Sequence, residues 1–347
     1  MKYLNIDQYA ILNEKLQVYL ESINGTFLYQ NLELFLKKIF ELGYSDFEAI
    51  NYKPSAEKYI LYSEGFKLIG DYLSKLNPQL AKDFDSKLSN GVINLTSYNS
   101  FNSALENTHI RYLFSANQDR SLNKIANSEL LDCQEIEVGN YKTSMITFIM
   151  LLHEYVHSIY SKNLDGSYFS QTYDDLCEFF PLYFELDFAN FLKDSGFDAD
   201  LFDFYYMTRY NEVLQLLSGR MPSQVLMLYY KDKNGVIDDT SFDDILKKTG
   251  LPAEQIDDIF NDCMTIDHCS SNCKYFMFIP LAFYYSSTGN PDITKKLLSM
   301  VGNLNMYTSN QVFHEIGSSA AEIETINFQN VMMDLAGQIS CKKTLEN

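Results

Sequence analysis

Hydrophobic residues recur at helical spacing along most of this chain. In residues 7–22 the apolar positions fall three or four apart, and Asn24-Gly25 ends the pattern. Gly and Pro residues lie between the later apolar segments, as expected of helix ends. The same spacing predicts helices over 28–42, 54–75, 79–89, 143–162, 173–194, 199–218, 221–231, 240–249, 253–263, 272–287, 291–301, 308–316 and 320–339. The pattern predicts a mainly α protein.

Three short stretches favour strands instead. Residues 92–96 form an extended candidate, and Tyr112–Ala116 alternates as a strand does. Residues 135–138 are a third candidate, and the Ser- and Asn-rich segment 97–107 is a predicted loop.

The chain of 347 residues could hold one large domain or two ordinary ones. It contains no internal repeat, low-complexity tract or long linker. We therefore expect one domain over 1–347, in which an N-terminal helical part at 1–90 precedes a core at 91–347 that carries the candidate chemistry.

Two histidines lie four residues apart in the segment 145–157, MITFIMLLHEYVH. On a helix, positions i and i+4 share a face, so His153 and His157 can direct ring nitrogens at one ion. Glu154 follows the first histidine, as in the HExxH pattern of zinc hydrolases, where it is the general base. The alternative is a core helix whose histidines only form hydrogen bonds. Because histidine occurs only five times in the chain, this spacing favours the metal interpretation.

A catalytic zinc ion needs a third protein ligand and one open position. The acidic residues of the next predicted helix, which begins near Tyr173, are Asp174, Asp175, Glu178, Glu185 and Asp187. Glu178 lies among apolar neighbours and needs a partner there, so it is the candidate ligand, with a surface carboxylate as the alternative. Glu185 shares its helical face seven residues later and could accept a hydrogen bond from a ligand histidine, or could be an ordinary helix carboxylate.

The order HEYVHSIY, a short loop, YDDLCEFFPLYFE and a late aromatic helix resembles the catalytic core of the thimet oligopeptidase and oligoendopeptidase F family of zinc peptidases, closest to the oligoendopeptidase F branch. In that family the third ligand is a glutamate followed seven residues later by another, and Glu178 and Glu185 match that pair. Other segments follow the family's order from about residue 55 onward: KDFDSKLSNGVINL, RYLFSAN, RMPSQVLMLYY, TSFDDILKKTGLPAEQIDDIF and FYYSSTGNPDITKKLLSMVGN. The resemblance implies a zincin-like helical metallopeptidase core with a small β-sheet beside the active-site helix.

The resemblance also implies roles for the tyrosine-rich helix and for the central strand. Tyr284 best matches the family's tyrosine that hydrogen-bonds the oxyanion, with Tyr285 and Tyr275 as alternatives, and all three could instead be core or cleft-wall aromatics. The strand would pair with the extended backbone of a bound peptide. The substrate-binding candidates are Tyr112, Phe114, Ala116 and Tyr285.

Several positions depart from the family's pattern. Val156 stands where the family usually has glycine, and Tyr160 stands where it commonly has histidine. Phe276 occupies the place of a substrate-binding histidine, and His268 nearby is out of register. The chain also has a shorter N-terminal region and a predicted insertion at 118–140. None of these positions is a metal ligand, so metal binding is still expected.

Charge and composition narrow the classes of partner. Acidic residues outnumber basic ones by 46 to 27, and a net charge of −19 argues against nucleic acid and anionic membrane as partners. The N-terminus has no apolar signal-peptide core, and no apolar run approaches the roughly 20 residues of a membrane span, so we expect a cytoplasmic protein with reduced cysteines. The spacings of Cys263, Cys269 and Cys273 do not match a zinc finger, so ordinary thiols are expected there.

The sequence thus predicts a zinc-dependent endopeptidase that acts on short peptides. One Zn²⁺ per chain would be held by His153, His157 and Glu178, with Glu154 as general base. One alternative is a metal-binding relative with lost or narrowed activity that serves as a binding or scaffold protein. Another keeps the zinc but acts on a protein recognised through the insertion at 118–140. The sequence predicts no oligomeric state.

Overall fold

The protein is mainly helical, as the hydrophobic pattern predicts. A computed structural model describes residues 2–43, 47–50, 59–90, 93–99, 108–114, 125–127, 134–137, 140–161, 170–197, 202–317 and 320–339. Within these ranges the chain forms α1 (Ile6–Ser22), α2 (Phe27–Gln30), α3 (Leu32–Gly43), α4 (Tyr62–Leu76), α5 (Pro78–Ser89), α6 (Met145–Tyr160), α7 (Gln171–Leu176), α8 (Phe179–Asp194), α9 (Asp203–Ser218), α10 (Met221–Asn234), α11 (Asp239–Thr249), α12 (Ile256–Met264), α13 (Cys269–Ser287), α14 (Pro291–Ser299), α15 (Ser309–Glu315), α16 (Ala320–Thr325) and α17 (Phe328–Gly337). Its strands are β1 (Tyr59–Leu61), β2 (Ile93–Asn99), β3 (Thr108–Phe114), β4 (Ile125–Asn127), β5 (Gln134–Glu137) and β6 (Asn140–Ser144).

Local capping chemistry sets many of the helix ends. At the start of α1 the Asn5 side chain accepts a hydrogen bond from the Gln8 N–H, and the Gln8 side chain accepts one from the Asn5 N–H, each at 2.9 Å. Helices α10 and α11 end at Gly235 and Gly250, whose φ angles of 74° and 69° lie in the left-handed region that glycine adopts without strain. These ends fall close to the predicted ones because their signals lie within a few residues of sequence.

Two helix starts predicted from periodicity are wrong. Residues 59–61 form β1 instead of belonging to a helix from 54, and residues 140–144 form β6 where a helix was expected from 143. The two strands pair antiparallel, with Tyr59 opposite Ser144 and Leu61 opposite Lys142. Hydrophobic periodicity depends only on residues close together in sequence, so it could not predict a pairing between residues 59–61 and 142–144.

The pairing of β1 with β6 positions the helix that carries the histidines. Strand β1 runs directly into α4 and β6 runs directly into α6, and the two helices are in contact. They approach closely at Gly65 of α4, where a Cβ atom would lie 2.2 Å from the ring of Phe148 on α6. A residue with a side chain does not fit at position 65 unless the phenyl ring moves.

The strands form two three-stranded sheets. One has the order β1-β6-β5, and the other has the order β2-β3-β4. Strand β2 pairs antiparallel with β3 along seven residues, from Ile93 opposite Phe114 to Asn99 opposite Thr108. Strand β3 also contacts α6, so the second sheet lies beside the helix that carries the histidines.

Helix α8 lies at the centre of the packing and contacts both α6 and α13, while α13 contacts α9. It is buried on every side, as expected of a helix that is apolar all round. The buried side chains form one continuous cluster that reaches from Leu4 to Ile339. No described helix is both long enough and apolar enough to cross a membrane.

Candidate metal centre

Helix α6 presents the two histidines of the motif on one buried face. His153 and His157 are 4% and 7% exposed, and their rings meet edge to face with centroids 4.7 Å apart. Their Nε2 atoms lie 3.0 Å apart. The neighbouring Leu152 and Val156 are buried and hold the helix against the core. Both imidazoles therefore direct Nε2 at one small volume, as the i, i+4 spacing predicts.

The helix is interrupted at Cys177 and Glu178, between α7 and α8, where the sequence predicted an unbroken helix over 173–194, although both residues keep right-handed helical dihedral angles. Pro181 accounts for the break, because it has no N–H to donate to the carbonyl of Cys177. Helix α8 begins after Glu178, whose carbonyl accepts a hydrogen bond from the N–H of Leu182 at 3.2 Å. Glu178 therefore lies at the N-terminus of α8, where the helix dipole stabilises a carboxylate.

The carboxylate of Glu178 completes a set of three donor atoms. Its Oε2 atom lies 3.4 Å from Nε2 of His153 and 3.6 Å from Nε2 of His157. Oε2 is buried, and no described group donates a hydrogen bond to it. Donors around a tetrahedral zinc ion, with bonds of about 2.0–2.1 Å, lie about 3.3 Å from one another. The three measured separations bracket that value, so the donor set fits one cation, and among the described residues no other such group converges.

The charges at this cluster favour a cation. Burial alone would raise the pKa of Glu178, but the nearby rings of His153 and His157 hold that pKa well below its usual range. Burial would lower the pKa of His153, but the carboxylates of Glu185 and Glu178 raise it to about 10. Without a metal ion, a proton on His153 therefore balances the buried carboxylates.

Glu185, the second glutamate of the predicted pair, lies two turns further along α8 and contacts His153. It is fully buried, and its Oε1 atom forms a hydrogen bond with Nδ1 of the His153 ring. With the hydrogen on Nδ1, the Nε2 lone pair of the neutral ring is left for a metal ion. Burial would raise the pKa of Glu185, but Arg209 and then His153 lower it to about 2. Glu185 is therefore ionised while it orients the ring.

Sequence reasoning missed the arginine that holds Glu185. Nη2 of Arg209, on α9, lies 2.9 Å from each carboxylate oxygen of Glu185, and Tyr205 donates to Oε2 at 2.8 Å. Nη1 of Arg209 donates to Glu212 at 2.8 Å. A signal was present, because Arg209 is one of four arginines and stands in the aromatic run YYMTRY. A charge that such a helix buries must be paired, although the run does not tell which carboxylate it meets.

Glu154 and Tyr173 lie at the same end of the cluster. Glu154 is half-buried. Within the part of the chain that the structure describes, its carboxylate accepts no hydrogen bond and forms no ion pair. The hydroxyl of Tyr173 lies 3.2 Å from Nδ1 of His157. Burial first, and then the charges of Cys177, Glu178 and Glu154, raise the pKa of Tyr173. Glu154 therefore lies near the cluster with its oxygens available, and Tyr173 is a further partner that the sequence did not indicate.

Of the tyrosines on α13, Tyr275 is part-buried and feels the charge of Glu178. Burial and the charge of Glu178 raise the pKa of Tyr275 far above its usual value. Tyr284 lies nine residues later, half a turn out of phase, and is 38% exposed. Its ring packs against the ring of Tyr285. The ring of Tyr285 in turn meets that of Phe179 edge to face, with centroids 6.1 Å apart. Tyr284, predicted to bind the oxyanion, is therefore on another face of α13 from Tyr275.

The structure describes most of the other positions that the sequence singled out, but not all of them. Tyr112 and Phe114 belong to β3, the strand that contacts α6, whereas Ala116 lies outside the described residues. Of the predicted insertion at 118–140, the structure describes β4, β5 and the first residue of β6. Phe276 is fully buried in the core, and His268 is exposed just before α13.

The three cysteines near α13 form a buried group of their own. Cys263, Cys269 and Cys273 are fully buried, and the Sγ atoms of the last two lie 3.8 Å apart. Burial raises the pKa of Cys263 and Cys273, which keeps both in the thiol form. These residues behave as small apolar side chains of the core.

The chain matches no protein-family model, no curated protein and no solved structure. Support for a metal centre therefore comes from the molecule itself. The donors of His153, His157 and Glu178 converge at the separations that a tetrahedral ion needs, and a buried carboxylate orients one of the rings.

Proposed function

We propose that this protein is a zinc-dependent endopeptidase that hydrolyses short peptides. The observation that carries the proposal is the position of Glu178 Oε2, a buried oxygen without a hydrogen bond from the described residues, facing two histidine nitrogens. Two histidines and a glutamate are a donor set used by catalytic zinc, which leaves a fourth position for water or substrate.

His153, His157 and Glu178 would hold the ion. A bound zinc ion supplies Lewis acidity to the scissile carbonyl and to the attacking water. Glu154 accepts the proton that the water loses and delivers it to the departing amine. Its carboxylate is half-buried and forms no hydrogen bond with a described side chain, which suits both proton transfers. Hydrolysis needs both transfers, and one carboxylate performs them in turn.

The oxyanion that forms on the substrate needs a hydrogen-bond donor beside the metal site. Our choice for this donor is Tyr275 of α13, because it is part-buried and because burial and the charge of Glu178 raise the pKa of its phenol, which therefore stays protonated. Tyr284, the residue indicated by family resemblance, is part-exposed and packs on Tyr285 instead.

The fold and family belong to the same proposal. We infer a zincin-like core of the thimet oligopeptidase and oligoendopeptidase F family, with an extended peptide pairing with β3. The order of the residues supports it: HEYVH on α6, Glu178 at the start of α8, Glu185 seven residues later and the tyrosines of α13. Strand β3 also contacts α6, the helix that carries His153 and His157, which supports pairing of a bound peptide with this strand.

A second function is a metal-binding protein without peptidase activity. The observation that favours it is Phe276, which is fully buried where the family has a histidine that binds substrate. Such a protein would keep the zinc ligands and use the ion, or the surface around it, to bind a partner.

One experiment separates the two functions. Zinc content and cleavage of a mixed-sequence peptide library are measured on the purified chain, after chelation and after zinc is restored. A peptidase cleaves peptides, loses activity on chelation and recovers it with zinc. Stoichiometric zinc without cleavage would favour the binding function, and cleavage that survives removal of all metal would reject the zinc mechanism.

A further inference from the structure

Arg209 forms a buried salt bridge with Glu185, the glutamate that contacts His153. Arg209 and Glu185 are 7% and 0% exposed. Nη2 of Arg209 lies 2.9 Å from both oxygens of Glu185, and Nε lies 3.3 Å from Oε2. Two nitrogens of one planar guanidinium therefore contact one carboxylate, which restricts rotation of the carboxylate about its last bond.

That restriction determines which oxygen meets the histidine. Oε2 of Glu185 also accepts the Tyr205 hydroxyl at 2.8 Å, while Oε1 contacts Nδ1 of His153. The opposite edge of Arg209 is held by Glu212 at 2.8 Å, so the guanidinium itself is fixed. The chain of contacts runs from α9 through Glu185 to His153, the ring whose Nε2 faces Glu178 and His157.

We propose that Arg209 is a positioning residue of the metal site, which acts through Glu185 to hold the His153 ring with Nε2 toward the metal position. The inference rests on the metal site of the proposed function, but not on peptide hydrolysis. Arg209 does not touch the donor atoms. Its guanidinium keeps a fully buried carboxylate in one orientation, and that carboxylate keeps the imidazole in one tautomer and one rotation.

The test compares Arg209→Met and Arg209→Lys with the wild type. Zinc affinity is measured by competition with a chromophoric chelator, and the visible absorption of the cobalt-loaded protein reports on ligand geometry. We expect Arg209→Met to weaken zinc binding by up to about 10–100-fold, which is the usual effect of losing the direct partner of a ligating histidine, because Arg209 acts through that partner, Glu185. Lysine keeps the charge but cannot present two nitrogens, so Arg209→Lys should recover part of the loss.

Lys38 provides a matched control for the loss of a buried cation. It is fully buried on α3, with Nζ 3.0 Å from Glu41 and bonded to the carbonyls of Glu324 and Ile326. Lys38→Met removes a buried charge as Arg209→Met does, and it should lower the thermal midpoint while leaving zinc affinity and the cobalt spectrum unchanged.

A double variant tests whether Arg209 acts through Glu185. If it does, Glu185→Gln combined with Arg209→Met should bind zinc no more weakly than Glu185→Gln alone. Additive losses, or wild-type zinc affinity in both Arg209 variants, would overturn the inference. A wild type that binds zinc but cleaves no peptide, together with a weakened Arg209→Met, would support the inference and reject the peptidase.

Discussion

Oε2 of Glu178 lies 3.4 Å from Nε2 of His153, at the point where the start of α8 meets the middle of α6. Both atoms are buried, and the oxygen has no hydrogen bond from the described residues. An ionised carboxylate in such a place must be compensated by a positive charge. A divalent cation would provide it, and so does a proton on His153, whose pKa the carboxylates of Glu185 and Glu178 raise against the effect of burial.

Replacement of Glu178 by glutamine should remove high-affinity zinc binding. Glutamine has a similar shape, but it offers only a neutral amide oxygen to the ion. We expect zinc affinity to fall more than about 100-fold, beyond the usual effect of losing an outer partner. The measurement is the rise in thermal midpoint with added zinc, which should be large in the wild type and nearly absent in the variant. Glu254→Gln replaces an exposed glutamate outside the donor set and should respond to zinc as the wild type does. An equal rise in Glu178→Gln would contradict the assignment.

Replacement of Glu154 by glutamine should separate chemistry from metal binding. Since Glu154 is not one of the three donors, zinc content and the zinc-induced rise in thermal midpoint should stay at wild-type values. The rate of peptide cleavage should fall about 10²–10⁴-fold, because the proton acceptor is gone. The assay is kcat on a peptide found in the library screen. Undiminished turnover by zinc-loaded Glu154→Gln would rule out its role as the base.

The tyrosines of α13 offer a paired comparison. Tyr275→Phe removes a hydroxyl whose pKa is raised by burial and by the charge of Glu178, whereas Tyr284→Phe removes one that is part-exposed. If Tyr275 stabilises the oxyanion, its loss should lower kcat about 10²–10³-fold with little change in KM. Tyr284→Phe should then cleave peptides at close to the wild-type rate. The reverse result would assign the role to Tyr284, as family resemblance implies.

The sequence predicted the parts of the site that lie on one helix, but not the contacts that form between helices. His153 and His157 lie on one helix, so the i, i+4 rule alone brings their nitrogens together. The spacing of Glu178 and Glu185 predicts a shared face of α8, but only packing shows that both meet His153. Arg209 was missed because its partner lies on another helix, and no local pattern connects them.

The same reason explains the errors in the fold. Helix boundaries with their own caps, such as that at Asn5, were predicted closely. Strands β1 and β6 were missed because each is short and is stabilised by the other, far away in sequence. The break before α8 had a local signal in Pro181, but proline is also accepted in the first turn of a helix, so the signal did not locate the end of one helix and the start of the next.

Asp187 should make the free energy of unfolding depend on pH, because its pKa is raised in the folded protein. Burial raises its pKa, and the hydrogen bond from Tyr72 at 2.7 Å only partly offsets that. The folded state therefore favours the protonated form, and the contribution of Asp187 to the free energy of unfolding falls as the pH rises above about 4, its unfolded value. Asp187→Asn keeps an oxygen for Tyr72 but cannot ionise.

We therefore expect Asp187→Asn to be more stable than the wild type at pH 7, by a margin that shrinks as the pH falls towards 4. Urea unfolding at a series of pH values measures that margin. Asp194→Asn, at the exposed end of the same helix, controls for the loss of one negative charge from an acidic protein. A margin equal to that of Asp194→Asn at every pH would show that burial of Asp187 does not affect stability.

The contact of α4 with α6 leads to the last prediction, because it helps to position the helix that carries His153 and His157. A Cβ atom at Gly65 would lie 2.2 Å from the Phe148 ring, whereas one at Gly70, on the same helix, would meet nothing nearer than Asp85 Oδ1 at 4.0 Å. Gly70→Ala should therefore stabilise the protein by about 0.5–1 kcal/mol through helix propensity. Gly65→Ala gains the same propensity but overpacks the core, so it should lose about 1–3 kcal/mol in urea unfolding. Phe148→Leu combined with Gly65→Ala should recover part of that loss, and equal stabilisation by the two alanines would show that the helices are not in contact at this point.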